Sequence, residues 1–307
     1  MTKKWIHPAV LAASFSALIL TAACGTQHTS DDQQTAETQR GAQALPGAQD
    51  RAEWPSPQVE SGLAAGMRLP LQDYMLAYPD EVDIENAKDK TKTACMARKG
   101  FTFSPPPSGT TPALSYDSMN MERRYGVTDA RTAQSYGYQA PGAVEEPADD
   151  TAAEENAEGR SDAWFDALDV CVSEANKKIG ILYETDIAAD LAAESLENTA
   201  SNLKVQAAIS NWQGCMSREN YQTGPTPQHA GESFAQTSTG AQPSTEETQM
   251  AVADVGCKQS SNLVSVWHKT EIAYQTKQIS DHKAELDAEE ARNAELIANA
   301  RAVLAQN

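Results

Sequence analysis

Aromatic residues make up only 6% of this 307-residue chain, and lysine plus arginine number 24 against 43 aspartates and glutamates. With a mean hydropathy of −0.54, that is too little bulky apolar material for one large globular core, and it suits helices joined by loose segments. The formal charge of −19 excludes a basic face for nucleic acid or anionic lipid, so no nucleic-acid partner is expected. There is no GxSxG, HExxH, P-loop or GxGxxG motif and no CxxC pair. No strong catalytic, cofactor or metal site is therefore expected, and the chain does not read as an enzyme. It also lacks a run of about 20 apolar residues, the length that spans a bilayer.

The longest apolar stretch, Trp5 to Leu20, is broken by His7, Pro8, Ser14 and Ser16. Lys3 and Lys4 precede it, and Thr21-Ala22-Ala23 follow, small residues of the kind a signal peptidase needs. Cys24 comes next. Small residues directly before a cysteine resemble the lipobox of bacterial lipoproteins, although Thr21 stands where Leu is usual. The resemblance implies cleavage after residue 23 and a diacylglyceryl lipid on Cys24, with residues 24–68 as a flexible tether. Removing residues 1–23, which hold two lysines and no acid, leaves a charge of −21.

Four cysteines then remain, Cys95, Cys171, Cys215 and Cys257, an even number for an oxidising compartment and three ways to pair. The local sequences choose between them. "ACMARKGFTFSPPP" resembles "GCMSRENYQTGPTP", and "LDVCVSEANKKI" resembles "ADVGCKQSSNLV". The chain thus reads as one unit duplicated, which predicts Cys95–Cys171 and Cys215–Cys257. No close histidine or cysteine pairing suggests zinc instead.

The fold class expected is all-α: two disulfide-linked helical hairpins with a long C-terminal helix, plus a disordered N-terminal tether and loops. The first hairpin covers 69–180, with a long insert at 102–160, and the second covers 181–307. A first helix should start near Asp80 and stop at Gly100. Trp164, Leu168, Cys171 and Ala175 fall on one helical face, and Gly180 interrupts that helix. A further helix-like run extends from about Asp186 to Asn220. The capping-box pattern at Ser244–Glu247 opens a helix that could reach Val303, roughly 80 Å. In the antiparallel hairpins Ile209 should meet Leu263, Val205 Trp267, Phe101 Trp164 or Phe165, and Ile84 Leu182. The tryptophans are expected in the core. The sparse apolar stripe of the last helix, Leu286, Ile297 and Leu304, should pack loosely on residues 181–200 or await a partner.

His268 and His282 would share a helix face about 21 Å apart, too far to hold one metal. The acidic run "EEPADDTAAEEN" lacks EF-hand spacing and reads as a solvated loop. One segment, "YGVTDARTAQSYGY", could bind something: Tyr125, Tyr136 and Tyr138 could line a groove for glycan or peptide. The favoured expectation is that it folds back onto the Cys95–Cys171 hairpin.

"CMARKGF", "RRYGVTDARTAQSYGY", "WFDALDVC", "WQGCMSRENY" and "VADVGCKQSSNLVSVWHKTEIAYQ" together resemble a group of uncharacterised secreted or lipid-anchored proteins of actinobacteria, over residues 70–305. Here Glu219-Asn220-Tyr221 stands where Gly-aromatic is the commoner form. The resemblance implies no particular activity and an association with cell-envelope transport systems. The functional expectation is an interaction protein on the outer face of the bacterial cytoplasmic membrane, held there by lipid on Cys24. It would meet an envelope protein or another copy of itself. The alternative is a ligand-binding surface lipoprotein that uses the tyrosine segment.

Overall fold

The computed structural model describes residues 58–105, 108, 121–139, 160–235 and 242–306. The signal segment, Cys24 and most of the tether and insert lie outside them. The described residues form nine α-helices and no strand. Both disulfides pair as the repeat predicts, Cys95 with Cys171 and Cys215 with Cys257, each with Cα atoms 5.5 Å apart.

The first helix, α1, spans Tyr78–Arg98. Asp80 lies inside its first turn rather than capping it, and pairs with Arg301 at 3.0 Å. At its other end Phe101 N–H bonds to the Met96 carbonyl at 3.0 Å and Gly100 N–H to Ala97 at 3.1 Å, with Gly100 at φ 85°. This is a Schellman turn. The helix Leu203–Arg218, which becomes α5 in chain order, ends the same way. Tyr221 bonds to Met216 at 3.0 Å, Asn220 bonds to Ser217 at 3.1 Å, and Asn220 has φ 64°. The Cys-Met repeat thus encodes a disulfide half-cystine followed by a helix stop, with the aromatic folded back towards a fully buried methionine. Asn stands in the second copy because it tolerates the left-handed conformation better than other L-residues. Asn220→Gly should therefore leave stability unchanged or slightly raised, whereas Asn220→Ala should lose about 1 kcal/mol; thermal melting of the two variants checks this.

Between these two helices come α2 (Ala130–Tyr136), α3 (Asp162–Ile179) and α4 (Ile187–Ala200). After α5 come the short α6 (Glu232–Ala235), then α7 (Thr245–Ser260), α8 (Leu263–Asp281) and α9 (Lys283–Leu304). Two long helices expected from the sequence are broken. The run from Asp186 to Asn220 divides where the Asn202 side chain accepts from Lys204 N–H at 2.9 Å and caps α5. The rod from Ser244 to Val303 is three helices. Ser244 does cap α7, accepting from Glu247 N–H at 3.0 Å. The chain then turns at Asn262, left-handed at φ 53°, and again at His282. None of the three breaks needs Gly or Pro. Each is favoured by the apolar surface it allows the next helix to bury, beginning with Leu263 at 0% exposure.

The main core joins α4, α5 and α8 with Met121 and Tyr125 of the insert. Val205, Ile209, Leu263 and Trp267 share it, as the hairpin register requires, and Trp212 and Trp267 are fully buried. The first hairpin packs α1 on α3. Phe101 joins Trp164 in one cluster and Ile84 joins Leu182 in another.

The last helix is neither loose nor open. α9 lies against α1, where Leu296, Ala300 and Val303 close on Ile84, Ala87 and Ile179. Alanines at the contact let the two helices approach closely. Gly180 ends α3 at φ 116°, and a Cβ there would sit 2.4 Å from a Leu296 methyl. The sequence-distant end of the chain therefore completes the core of the first hairpin.

Candidate functional site

The tyrosine segment packs on the second hairpin, not on the Cys95–Cys171 hairpin. Asp129 starts α2 by accepting from Arg131 and Thr132 N–H at 2.8 and 2.9 Å, and α2 lies along α7. Just before it, Arg124 and Tyr125 reach Glu271 on α8. Arg124 Nε donates to Glu271 Oε1 and Oε2 at 3.0 and 3.2 Å, and its Nη2 also bonds Oε1. The Tyr125 hydroxyl donates to Oε2 at 2.7 Å and Ser195 Oγ to Oε1 at 2.7 Å. Gln275 extends the network, donating to Ser195 Oγ at 2.8 Å and accepting from Leu71 N–H at 3.1 Å. Glu271 is 0% exposed. Burial, then the neighbouring Glu271 charge, pushes the Tyr125 hydroxyl well above its ordinary range. With its oxygens taken by guanidinium, phenol and hydroxyl donors, this carboxylate clamps the insert onto α4 and α8.

A second buried cluster ties α5, α7 and the insert. Asp254 accepts from Trp212 Nε1 at 2.7 Å and from Lys258 Nζ at 2.8 Å, and Lys258 also donates to the Val127 carbonyl at 2.8 Å. Burial pushes Asp254 up and Lys258 down, and their mutual attraction opposes both shifts. The buried Tyr138 hydroxyl, raised by burial and then by Asp254, lies beside this pair, and its ring stacks on Phe234 at 6.2 Å. Glu247 accepts from Tyr138 N–H at 3.1 Å. Of the three candidate tyrosines, Tyr125 is 0% exposed and Tyr138 is clasped between Gly231 and Glu247. Tyr136 is partly exposed at the end of α2. The three do not line one groove.

A third carboxylate acts at a distance. Glu289 on α9 accepts from Ile187 and Ala188 N–H at 2.7 and 3.0 Å and so caps α4. Asp186, the local candidate, makes no side-chain cap. Burial raises Asp186 above 3.8 and Glu81 above 4.5. For these two the native state holds protons that the unfolded chain has released, so stability falls as pH rises through the raised values. Asp129 acts oppositely. Its carboxyl is lowered, chiefly by the Thr132 N–H bond, and its contribution is lost as pH falls below 3.8. Lowering the pH from neutral towards the raised carboxyl values should therefore raise the melting temperature, helped by relief of net negative charge, until the loss of the Asp129 contribution below 3.8 opposes it; calorimetry showing a fall from the outset would contradict this.

His268 bonds the Arg68 carbonyl at 2.8 Å from α8, while His282 forms the α8–α9 turn and bonds Glu285 at 2.7 Å. Among the described residues no group of three or more His, Cys, Asp or Glu is placed to hold a metal, and no helix is long and apolar enough to cross a membrane. A cleft of about 200 Å³ lies between the α3–α4 loop and α9, lined by Lys177, Tyr183, Thr185, Arg292, Asn293 and Asn299. That is smaller than the usual organic-ligand pocket of ~300–1,000 Å³.

The surface is most unusual along α3. Among the described residues, five of the seven exposed large hydrophobics, Phe165, Val170, Val172, Ile181 and Tyr183, belong to α3 and the loop after it. The inward side of α3 is fixed by Ala167, Cys171, Ala175 and Ile179, all buried, and by a two-bond Arg98–Glu174 pair at 2.6 and 2.8 Å.

The sequence reading missed Glu271, Asp254, Lys258 and Glu289. A signal existed: Glu271, Gln275 and Gln278 continue the helical face of Trp267 at i+4, i+8 and i+11. No family model, curated protein or solved structure matches this chain.

Proposed function

We propose that the chain is an extracytoplasmic helical interaction protein, anchored by lipid on Cys24 to the outer face of the bacterial cytoplasmic membrane. The observation that carries this reading is the concentration of exposed apolar side chains on the disulfide-tied helix α3 and the loop that follows it. Exposed apolar residues gathered on a rigid element favour protein association. The crosslinks and the hydrogen-bonded buried clusters support a preorganised body, which lowers the ordering cost of binding. The burial of Tyr125 and Tyr138 weighs against the tyrosine segment as a glycan or peptide groove. The resemblance to actinobacterial lipoproteins makes an envelope transport system a natural place to look for the partner.

Two experiments test the two halves. Replacing Cys24 by Ser should abolish lipid labelling and move the protein from the detergent phase to the aqueous phase, because two acyl chains supply the stable attachment. A variant that stays with the membrane would defeat the anchor. Crosslinking in intact membranes should recover a protein partner in stoichiometric amount. Recovery of uncrosslinked monomer throughout would defeat the interaction reading.

A further inference from the structure

We propose that the outer face of α3 docks a basic amphipathic helix of another protein. The proposal rests on the interaction reading and specifies its surface and the chemistry of its partner. Phe165 and Val172, 44% and 38% exposed, stand two turns apart on one rim of α3, and Val170, 52% exposed, marks the opposite rim. Between the rims Asp162, Asp166 and Asp169 follow at i, i+4 and i+7, all exposed. None of these three carboxylates holds a cation among the described residues.

Phe165, Asp169, Val172 and Asn176 have the 4-3-4 spacing of a seam that accepts the side chains of a second helix. Phe165 and Val172 ask for apolar residues opposite them. Asp169, inside the seam, asks for Lys or Arg, since covering an unpaired carboxylate with apolar surface is costly. Asp162 and Asp166 favour further cations on the same flank. A parallel second copy would set the acidic stripe against itself. An antiparallel one would bring only Asp162 towards Lys177 and Lys178 of the other copy and leave Asp169, near the middle of the helix, facing no cation, so self-association of the protein through this face would overturn the proposal. An anionic membrane surface is repelled by the same stripe. The sequence preceding α3, "EEPADDTAAEEN", is itself acidic and does not complement the face.

The test uses the intact protein in detergent and a fluorescent 18-residue helical peptide. The peptide has Leu at the seam positions that face Phe165 and Val172, and Lys at the seam position that faces Asp169 and on the flank; a second peptide carries Glu for each Lys. Anisotropy should show binding of the Lys peptide alone. Combining Asp162→Asn, Asp166→Asn and Asp169→Asn should weaken it about tenfold, the scale of three exposed ion pairs. Combining Phe165→Ser with Val172→Ser should weaken it comparably. A control of equal charge change, Glu197→Gln with Glu290→Gln and Glu295→Gln, should alter binding less than twofold, since these acids are exposed elsewhere. Equal loss in the control, or binding of the Glu peptide, would overturn the proposal. If partner crosslinking in membranes survives the α3 substitutions, the docking face is wrong while the interaction reading stands. If no partner is ever captured, that reading fails first.

Discussion

Glu271→Ala is expected to destabilise the fold by about 3–5 kcal/mol, the scale seen when one member of a buried ion pair is removed. The loss goes beyond one contact. The Arg124 side chain is 7% exposed, and without Glu271 its charge stays in a dry site with only the Ala192 carbonyl and Ser195 Oγ as acceptors. The Tyr125 hydroxyl loses its acceptor in the same step, while Ser195 Oγ keeps only the Ala192 carbonyl at 2.8 Å. A companion variant separates the cost of an orphaned charge from the worth of the pair. Glu271→Leu combined with Arg124→Met and Tyr125→Phe should recover much of the loss, because apolar groups of similar size leave no unmet charge. Denaturant unfolding should place the single variant far below wild type and the triple variant between them. Equal stability of the two variants would mean that the clamp is not what Glu271 supplies.

Removing the second crosslink, as Cys215→Ser with Cys257→Ser, should cost about 4 kcal/mol on the chain-entropy account, given a separation of 42 residues. For a chain of this size that corresponds to a fall of about 8–16 °C in melting temperature. Cys257 lies in the main core with Trp212 and Trp267. Loss of the bond should therefore expose tryptophan fluorescence to quencher as well as lower the melting temperature. The Cys95–Cys171 bond closes 76 residues, and its removal should cost a few tenths of a kcal/mol more by the same logarithm. That effect should centre on the α1, α3 and α9 cluster instead. A non-reducing scan of the two double variants, with quenching, distinguishes the two cores.

The fold was legible where the signal was local. Cys-Met followed four residues after the Met by a left-handed residue, and then an aromatic, is a helix ending that can be read without knowing the rest of the chain. The repeat of that ending named the disulfide pairs. Helix breaks were less legible. Asn202, Asn262 and His282 stop or turn the chain without Gly or Pro, and each does so because the following helix gains a buried face. Charged residues in the core were least legible. Glu271, Asp254, Lys258 and Glu289 look like surface residues in a sequence that is acidic throughout. Only the arrival of Arg124, Trp212, the Val127 carbonyl and the α4 N-terminus from elsewhere in the chain identifies them as interior.

By itself the sequence determined helical class, two crosslinks and their pairing, because periodicity, caps and duplicated motifs are properties of neighbours in the chain. The tertiary structure alone decided where the open surface lies. The thin stripe on the last helix is closed by α1, since Leu296, Ala300 and Val303 find Ile84 and Ala87 to bury against. α3 keeps its outer side uncovered, because one face of a helix suffices to close a hairpin and no described element returns to cover the other.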